Sequence, residues 1–207
     1  MEKTLITISR QFGSGGREVA EILTKKLHCH HYNSKLVEMA AQNLHNGIHI
    51  EEAIARSYHT PEEAQGNLDK YEGRERIVEN NRMYIEQAKI ILNLADRPES
   101  AIFLGRCADY ILRNRADVFS FFIYADDDFR SARCKTKYQG MSLRDLNREE
   151  NRRKQYYEFY TGQIWGEPTN YDLMINTSNI PLEVAADTIL AYIEYKRAAA
   201  ARAVCGE

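Results

Sequence analysis

No stretch of the 207-residue chain approaches the roughly 18 consecutive apolar residues of a membrane span. The opening Met-Glu-Lys does not lead into the charged-then-apolar profile of a secretory leader. Neither sign of charge prevails: 28 Lys and Arg stand against 30 Asp and Glu, a formal net charge of −2. A general nucleic-acid binder is ordinarily basic, so neither nucleic acid nor membrane is an expected partner, although a local basic site remains open. Cysteine is scarce. Cys29, Cys107, Cys134 and Cys205 are dispersed and form no C-x-x-C pair, which predicts reduced thiols in a cytoplasmic protein rather than a disulfide framework or a metal knuckle. Internal repeats and low-complexity segments are also lacking.

What is present is an alternation of short apolar runs with helical stretches. Strands are predicted at 4–9 (TLITIS), 28–32 (HCHHY), 101–105 (AIFLG), 118–125 (VFSFFIYA) and 171–177 (YDLMINT). Between them, Val19, Ile22, Leu23 and Leu27 fall on one helical stripe. Asn33-Ser34 can cap a helix over 35–44, 48–58 and 61–95 read as helical, and Pro98 closes that section. Ser142 caps a charged helix over 142–160, and Pro181 opens a terminal one. Five strands interleaved with helices predict one α/β domain: a parallel five-stranded sheet covered by helices on both faces. Residues 34–98 exceed a plain crossover and predict a helical insert over the site. Ligands in such folds lie beyond the carboxyl ends of the strands, at the switch in strand order.

The stretch SRQFGSGGREVA, 9–20, follows the first strand and leads into a helix. Gly13, Gly15 and Gly16 allow positive φ and leave backbone N–H groups free to cup an anion, and the positive end of the helix adds to the cup. Backbone N–H groups of Gly13, Ser14, Gly15, Gly16 and Arg17 are therefore candidate phosphate binders. The usual phosphate loop ends Gly-Lys-Ser/Thr; here Gly16 stands at the lysine, and Glu18 replaces the hydroxyl residue that ligates Mg²⁺. Lysine supplies a mobile charge that follows a transferring phosphoryl group. Arg17 either substitutes for it or points to solvent, and Glu18 either serves the metal shell or merely favours the helix N-terminus.

Four stretches together carry a resemblance: 8–20 (ISRQFGSGGREVA), 103–112 (FLGRCADYIL), 122–134 (FIYADDDFRSARC) and 152–178 (RRKQYYEFYTGQIWGEPTNYDLMINTS). Their order and spacing over nearly the whole chain resemble the nucleoside monophosphate kinases, specifically the cytidylate-kinase-like family. The resemblance implies a P-loop kinase-like fold, ATP and Mg²⁺, and a small nucleotide or other phosphorylatable acceptor. It implies that Arg106, in Gly105-Arg106, helps hold the acceptor; the family's following Asp is replaced by Cys107, and Asp109 lies one helical turn from Arg106, where it can orient it. It also places a lid at about 135–160. Glu150, Arg153, Tyr156 and Tyr157 echo a family D-x-x-R-x-x-Y-Y, and Arg148, Arg152 and Arg153 become candidate catalytic residues with Arg17. Arg144, Arg148 and Arg152, spaced by four, share a face that can equally be solvated and paired with Asp145, Glu149 and Glu150. Asn33, where relatives often carry Asp, and Arg130, near the lid hinge, are candidate substrate contacts; Asn33 can instead cap a helix, and Arg130 and Arg133 can pair with Asp126 and Asp127. His28 and His30, on one face of the predicted second strand, lack a third ligand, so no metal site of protein ligands is expected. Tyr-rich helices leave a homodimer open.

The reading is ATP-dependent phosphoryl transfer to a CMP-like nucleotide or another small acceptor. A non-catalytic nucleotide- or anion-binding regulator with a degenerate loop is the alternative, favoured by the missing Lys and Ser/Thr and by Asn33. An RNA or DNA binder rests on the arginine stripe alone.

Overall fold

A computed structural model describes residues 2–44, 70–138 and 140–205. The strands are β1 (Leu5–Arg10), β2 (His30–Tyr32), β3 (Ala101–Leu104), β4 (Val118–Tyr124) and β5 (Leu173–Asn176). All pair in parallel, in the order β2-β3-β1-β4-β5. β1 therefore lies at the centre, and the chain leaves its carboxyl end between β3 and β4, where the strand order switches.

Every residue of β1 and β3 is buried, as expected of parallel strands covered on both sides. The period of two divides them between two cores. Ile6, Ile8, Ile102 and Leu104 face Val19 and Leu23 of α1 (Gly16–Leu27) and Ala185, Ile189 and Ile193 of a C-terminal helix, Leu182–Cys205. Leu5, Ala101 and Phe103 face Leu36 and Ala40 of α2 (Ser34–Leu44), Ile90, Ile91 and Leu94 of α3 (Lys70–Ala95), and Ala108 and Leu112 in and beside α4 (Ala108–Ile111). Burying a side chain such as Phe103 or Ile8 is worth about 1.5–3 kcal/mol. Two further helices, α5 (Asp127–Lys137) and α6 (Leu143–Thr161), follow β4, and the C-terminal helix is α7. Ser142 caps α6 through a reciprocal capping box with Asp145.

All five predicted strands are present, each within two residues of its predicted limits. The flanks of the expected insert, α2 and the last turns of α3, are core elements of the sheet, whereas the helix expected at 48–58 lies outside the described residues. His28 is not on a strand: it ends α1 in the left-handed region at φ 49°, its N–H bonded to the Thr24 carbonyl. The strand-face pairing of His28 with His30 is thereby removed. The α6 tyrosines are spent within the chain: Tyr156 and Tyr157 are buried, and Tyr160 stacks on Tyr84 at 4.1 Å. No helix among the described residues is long and apolar enough to cross a membrane.

Candidate active site

The glycine loop hangs on β1. Gly13 and Gly15 adopt φ of 82° and 84°, and a Cβ on Gly15 would lie 2.7 Å from Cδ2 of Leu182, so a side chain there meets both strain and α7. Ser14 is buried within the turn; its hydroxyl donates to the Gln11 carbonyl at 2.9 Å, and its own carbonyl accepts from the Thr177 hydroxyl at 2.6 Å. The first helical N–H with an acceptor in the turn below is that of Val19, on the Gly15 carbonyl at 3.0 Å. The preceding N–H groups, from Gly15 to Glu18, are the unsatisfied donors of a helix start, the kind of position at which an anion is stabilised.

The rim of this loop is gripped from α5. Buried Arg130 donates through Nε to the Phe12 carbonyl at 2.8 Å, through Nη1 to Asp127 at 3.1 Å, and through Nη2 to Glu150. Arg133 donates through Nε to the Gly13 carbonyl at 3.1 Å and through Nη2 to Glu18. Gln11 ties the same region to α6, its amide donating to Glu150 at 3.1 Å. Burial raises the Glu150 carboxyl above its ordinary range, against the lowering pull of Arg130. Glu18 keeps Oε2 buried with no hydrogen-bond partner. An orphaned carboxylate oxygen beside a phosphate loop fits Mg²⁺, which takes one or two carboxylates together with phosphate oxygens.

Beside the loop lies a small cleft of about 20 Å³, lined by Ser9, Arg10, Arg106, Arg153, Tyr156 and Trp165 among others. Arg106 reaches it from a strained turn: Gly105, Arg106 and Cys107 have successive φ of 68°, 62° and 55°. Two non-glycine residues held in that region cost of order 1–3 kcal/mol each, a price found mainly where a site dictates the backbone. Arg153 comes from the inner face of α6, its Nη1 donating to the Arg10 carbonyl at 3.3 Å and its guanidinium 4.9 Å from the Phe12 ring centre. Asp109 lies buried behind, its Oδ2 accepting the Tyr157 hydroxyl at 2.7 Å; burial pushes its carboxyl up from 3.8 to about 6. Burial also pushes the Cys107 thiol up, leaving it unreactive.

The structure thus brings together the glycine loop, Arg106, Asp109 and Arg153, and sets other candidates apart. Arg17 is not in the lysine's place: its side chain is 65% exposed on α1, with Nε on Glu21 at 3.1 Å. Arg148 and Arg152 face away from the cleft, lining a shallow outer groove with Arg144; Arg152 pairs with Glu149 at 2.6 Å. Helical periodicity explains this, since Leu146, Glu150 and Arg153 hold the inward face, Arg144 and Arg148 take the solvated one, and Arg152 lies half-buried on the flank between them. Arg130 is not directed at a substrate, because it is committed to Phe12, Asp127 and Glu150. Asn33, at the start of α2, accepts from Arg10 Nη2 at 3.4 Å, which makes it a partner of that arginine before any substrate.

Arg10 itself was not among the sequence candidates. It is 7% exposed, and a Cβ on Gly16 would lie 2.7 Å from its Cβ and 2.9 Å from its Cγ. The signal lay in the loop pattern: with Gly-x-x-x-x-Gly-Lys laid on Gly15-Gly16, the first glycine falls on Arg10. The chain has gained a long cation at one end of the motif and lost one at the other.

With this arrangement in hand, comparison with known proteins gives a family. The model of the cytidylate kinase-like family matches residues 5–179. The chain belongs to that family. This cytidylate kinase-like chain is 27% identical over 199 residues to the cytidylate kinase of Archaeoglobus fulgidus, covering 93% of this chain and 96% of that one. Among solved structures it is similar to an uncharacterized protein from Eubacterium ventriosum, with TM-score 0.67, 24% identity, and coverage of 93% and 99% of the two chains. It also resembles the shikimate kinase of Bacteroides thetaiotaomicron, with TM-score 0.55, 12% identity, and coverage of 92% and 98%. At these identities the solved structures establish the α/β P-loop kinase fold of this family member.

Proposed function

We propose that the protein transfers the γ-phosphoryl group of ATP to a small acceptor, a CMP-like nucleoside monophosphate in the first instance, and that it does so as a single domain with a lid at about 135–160. The observation that carries this reading is the convergence of Arg106 and Arg153, from two distant segments, on one cleft beside a loop of unsatisfied N–H groups. The N–H groups from Gly15 to Glu18 hold donor phosphate. Arg106, preset by its left-handed turn, holds the acceptor phosphate with the paired donors of a guanidinium. In the transfer, an acceptor oxygen forms a bond to the γ-phosphorus as the bridging bond to the β-phosphate breaks, and the electron pair leaves with ADP. Arg153 neutralises charge developing on the equatorial oxygens, where positioning and electrostatics supply nearly all of the catalysis. Mg²⁺, when bound with ATP, supplies further neutralisation of the β- and γ-oxygens, and Glu18 is the residue that fits it.

Gly16 in the lysine's place supports a second reading, a regulator that binds nucleotide without turning it over. A thermal-shift screen of ATP with candidate acceptors, with and without Mg²⁺, followed by a steady-state assay, separates the two. A ligand at a hundred times its dissociation constant adds about 2.7 kcal/mol, so binders show as melting shifts. Turnover with CMP or another acceptor supports the kinase. ATP binding without turnover across the panel overturns it and leaves the regulator.

A further inference from the structure

We propose that Arg10 does the work of the missing lysine, bringing its guanidinium from the end of β1 to the phosphates of a bound nucleoside triphosphate. Three observations meet at this residue. Its side chain passes directly over Gly16, leaving 2.7 Å between its Cβ and any Cβ placed there, so a residue other than glycine at 16 collides with the arginine's stem. The space that a lysine stem would cross is already filled, and filled by another cation. Arg10 is one of the residues lining the cleft that Arg106 and Arg153 also line. Its guanidinium is held by Asn33 at 3.4 Å, a neutral acceptor that steadies the group without spending its charge on a carboxylate. Among the described residues Arg10 has no ion pair, whereas Arg130, Arg133 and Arg152 are all ion-paired. An almost buried arginine steadied only by an amide is stabilised when an anion arrives beside it.

The exchange changes the character of the charge. A loop lysine is a point charge on a flexible stem, whereas arginine offers a planar fork that fixes two phosphate oxygens at once. Mounted on the central strand, Arg10 approaches from the sheet, and the glycine at 16 leaves room for it.

This role rests on the phosphoryl-transfer reading above and is tested by exchanging the two positions. R10A, R10K, G16K and the double variant R10G/G16K are compared with the parent for melting temperature, affinity for ATP with Mg²⁺, and turnover. G16K alone lowers the melting temperature, and R10G/G16K recovers most of it and restores ATP affinity to within about tenfold. R10A weakens ATP binding and lowers turnover by about 100-fold or more, the loss typical of removing one preorganised donor; R10K retains part of both. Parental ATP affinity and turnover in R10A, or a G16K effect of equal size with and without Arg10, overturns the proposal. If the parent binds ATP but transfers nothing, the kinase reading fails alone, and Arg10 stands or falls on the ATP affinity of R10A. If the parent binds no ATP, both fail.

Discussion

Helix α6 carries arginines on two faces, and the two sets share little beyond residue type. On the outer face Arg144 and Arg148 are exposed, and Arg152 is engaged by Glu149 one turn away. On the inner face Arg153 touches the β1 backbone and the Phe12 ring, between buried Leu146 and Tyr157. The acids divide in the same way. Outward Asp145 is held below its ordinary range by the Ser142 hydroxyl, whereas inward Glu150 is raised by burial. Charge density in sequence marks the solvated face, because water tolerates many charges there. A single arginine flanked by aromatics marks the face where each charge needs a purpose.

The sharpest break of this comparison is Arg130→Ala. It strands Glu150, to which Arg130 is paired at 4% side-chain exposure, and releases the Phe12 carbonyl. Breaking a buried pair on one side costs about 3–5 kcal/mol, read by denaturant unfolding, against about 0.5 kcal/mol or less for Arg144→Ala on the outer face. A parental midpoint for Arg130→Ala would mean that the loop needs no support from α5.

Arg153→Ala against Arg148→Ala comes next. The first lowers turnover by about 100-fold, or roughly 2.7 kcal/mol, with ATP affinity little changed, as for an interaction made only in the transition state. The second stays within a few-fold of the parent. Equal losses in steady-state assays would show that α6 turns its outer arginines inward.

A third effect, on stability alone, concerns Asp109, which meets the inner face at Tyr157. Because its carboxyl is raised from 3.8 to about 6, the folded chain binds more protons than the unfolded one between those values. This group's contribution therefore makes stability fall as pH rises from about 4 to 6, by at most about 3 kcal/mol, and level off above. Asp109→Asn should flatten that part of the curve in pH-resolved melting. An unchanged slope would place the titration elsewhere.

The fold was legible because its signals are local and redundant. VFSFFIYA and TLITIS have few alternatives to a buried strand, and a capping serine before a charged stretch marks a helix start. The placement of the candidate residues was legible where one backbone device sets it, as at Gly13 and Gly15, or where an arginine directly follows a strand, as at Arg106. Sequence reasoning failed where spacing within one element could not report depth. Arg148 and Arg152 look like lid residues until their helix is rotated against the sheet, and Arg130, whose pairing with a neighbouring Asp was open in the sequence, holds Phe12 and Glu150 as well. Arg10 was hidden differently, since its partner in the exchange is six positions away and visible only as the absence of a side chain at Gly16.

The wall of the cleft has an optical consequence. Trp165 is the single tryptophan in the chain; it lines the cleft and meets Phe122 edge-on at 5.1 Å. Excited selectively over the 13 tyrosines, the single indole reports from this one place with no label. Any molecule that enters beside Arg106 and Arg153 changes the polarity and quenching around it. The protein thus carries its own dye in the cleft proposed for its acceptor, where a change of emission on adding a ligand would report occupancy.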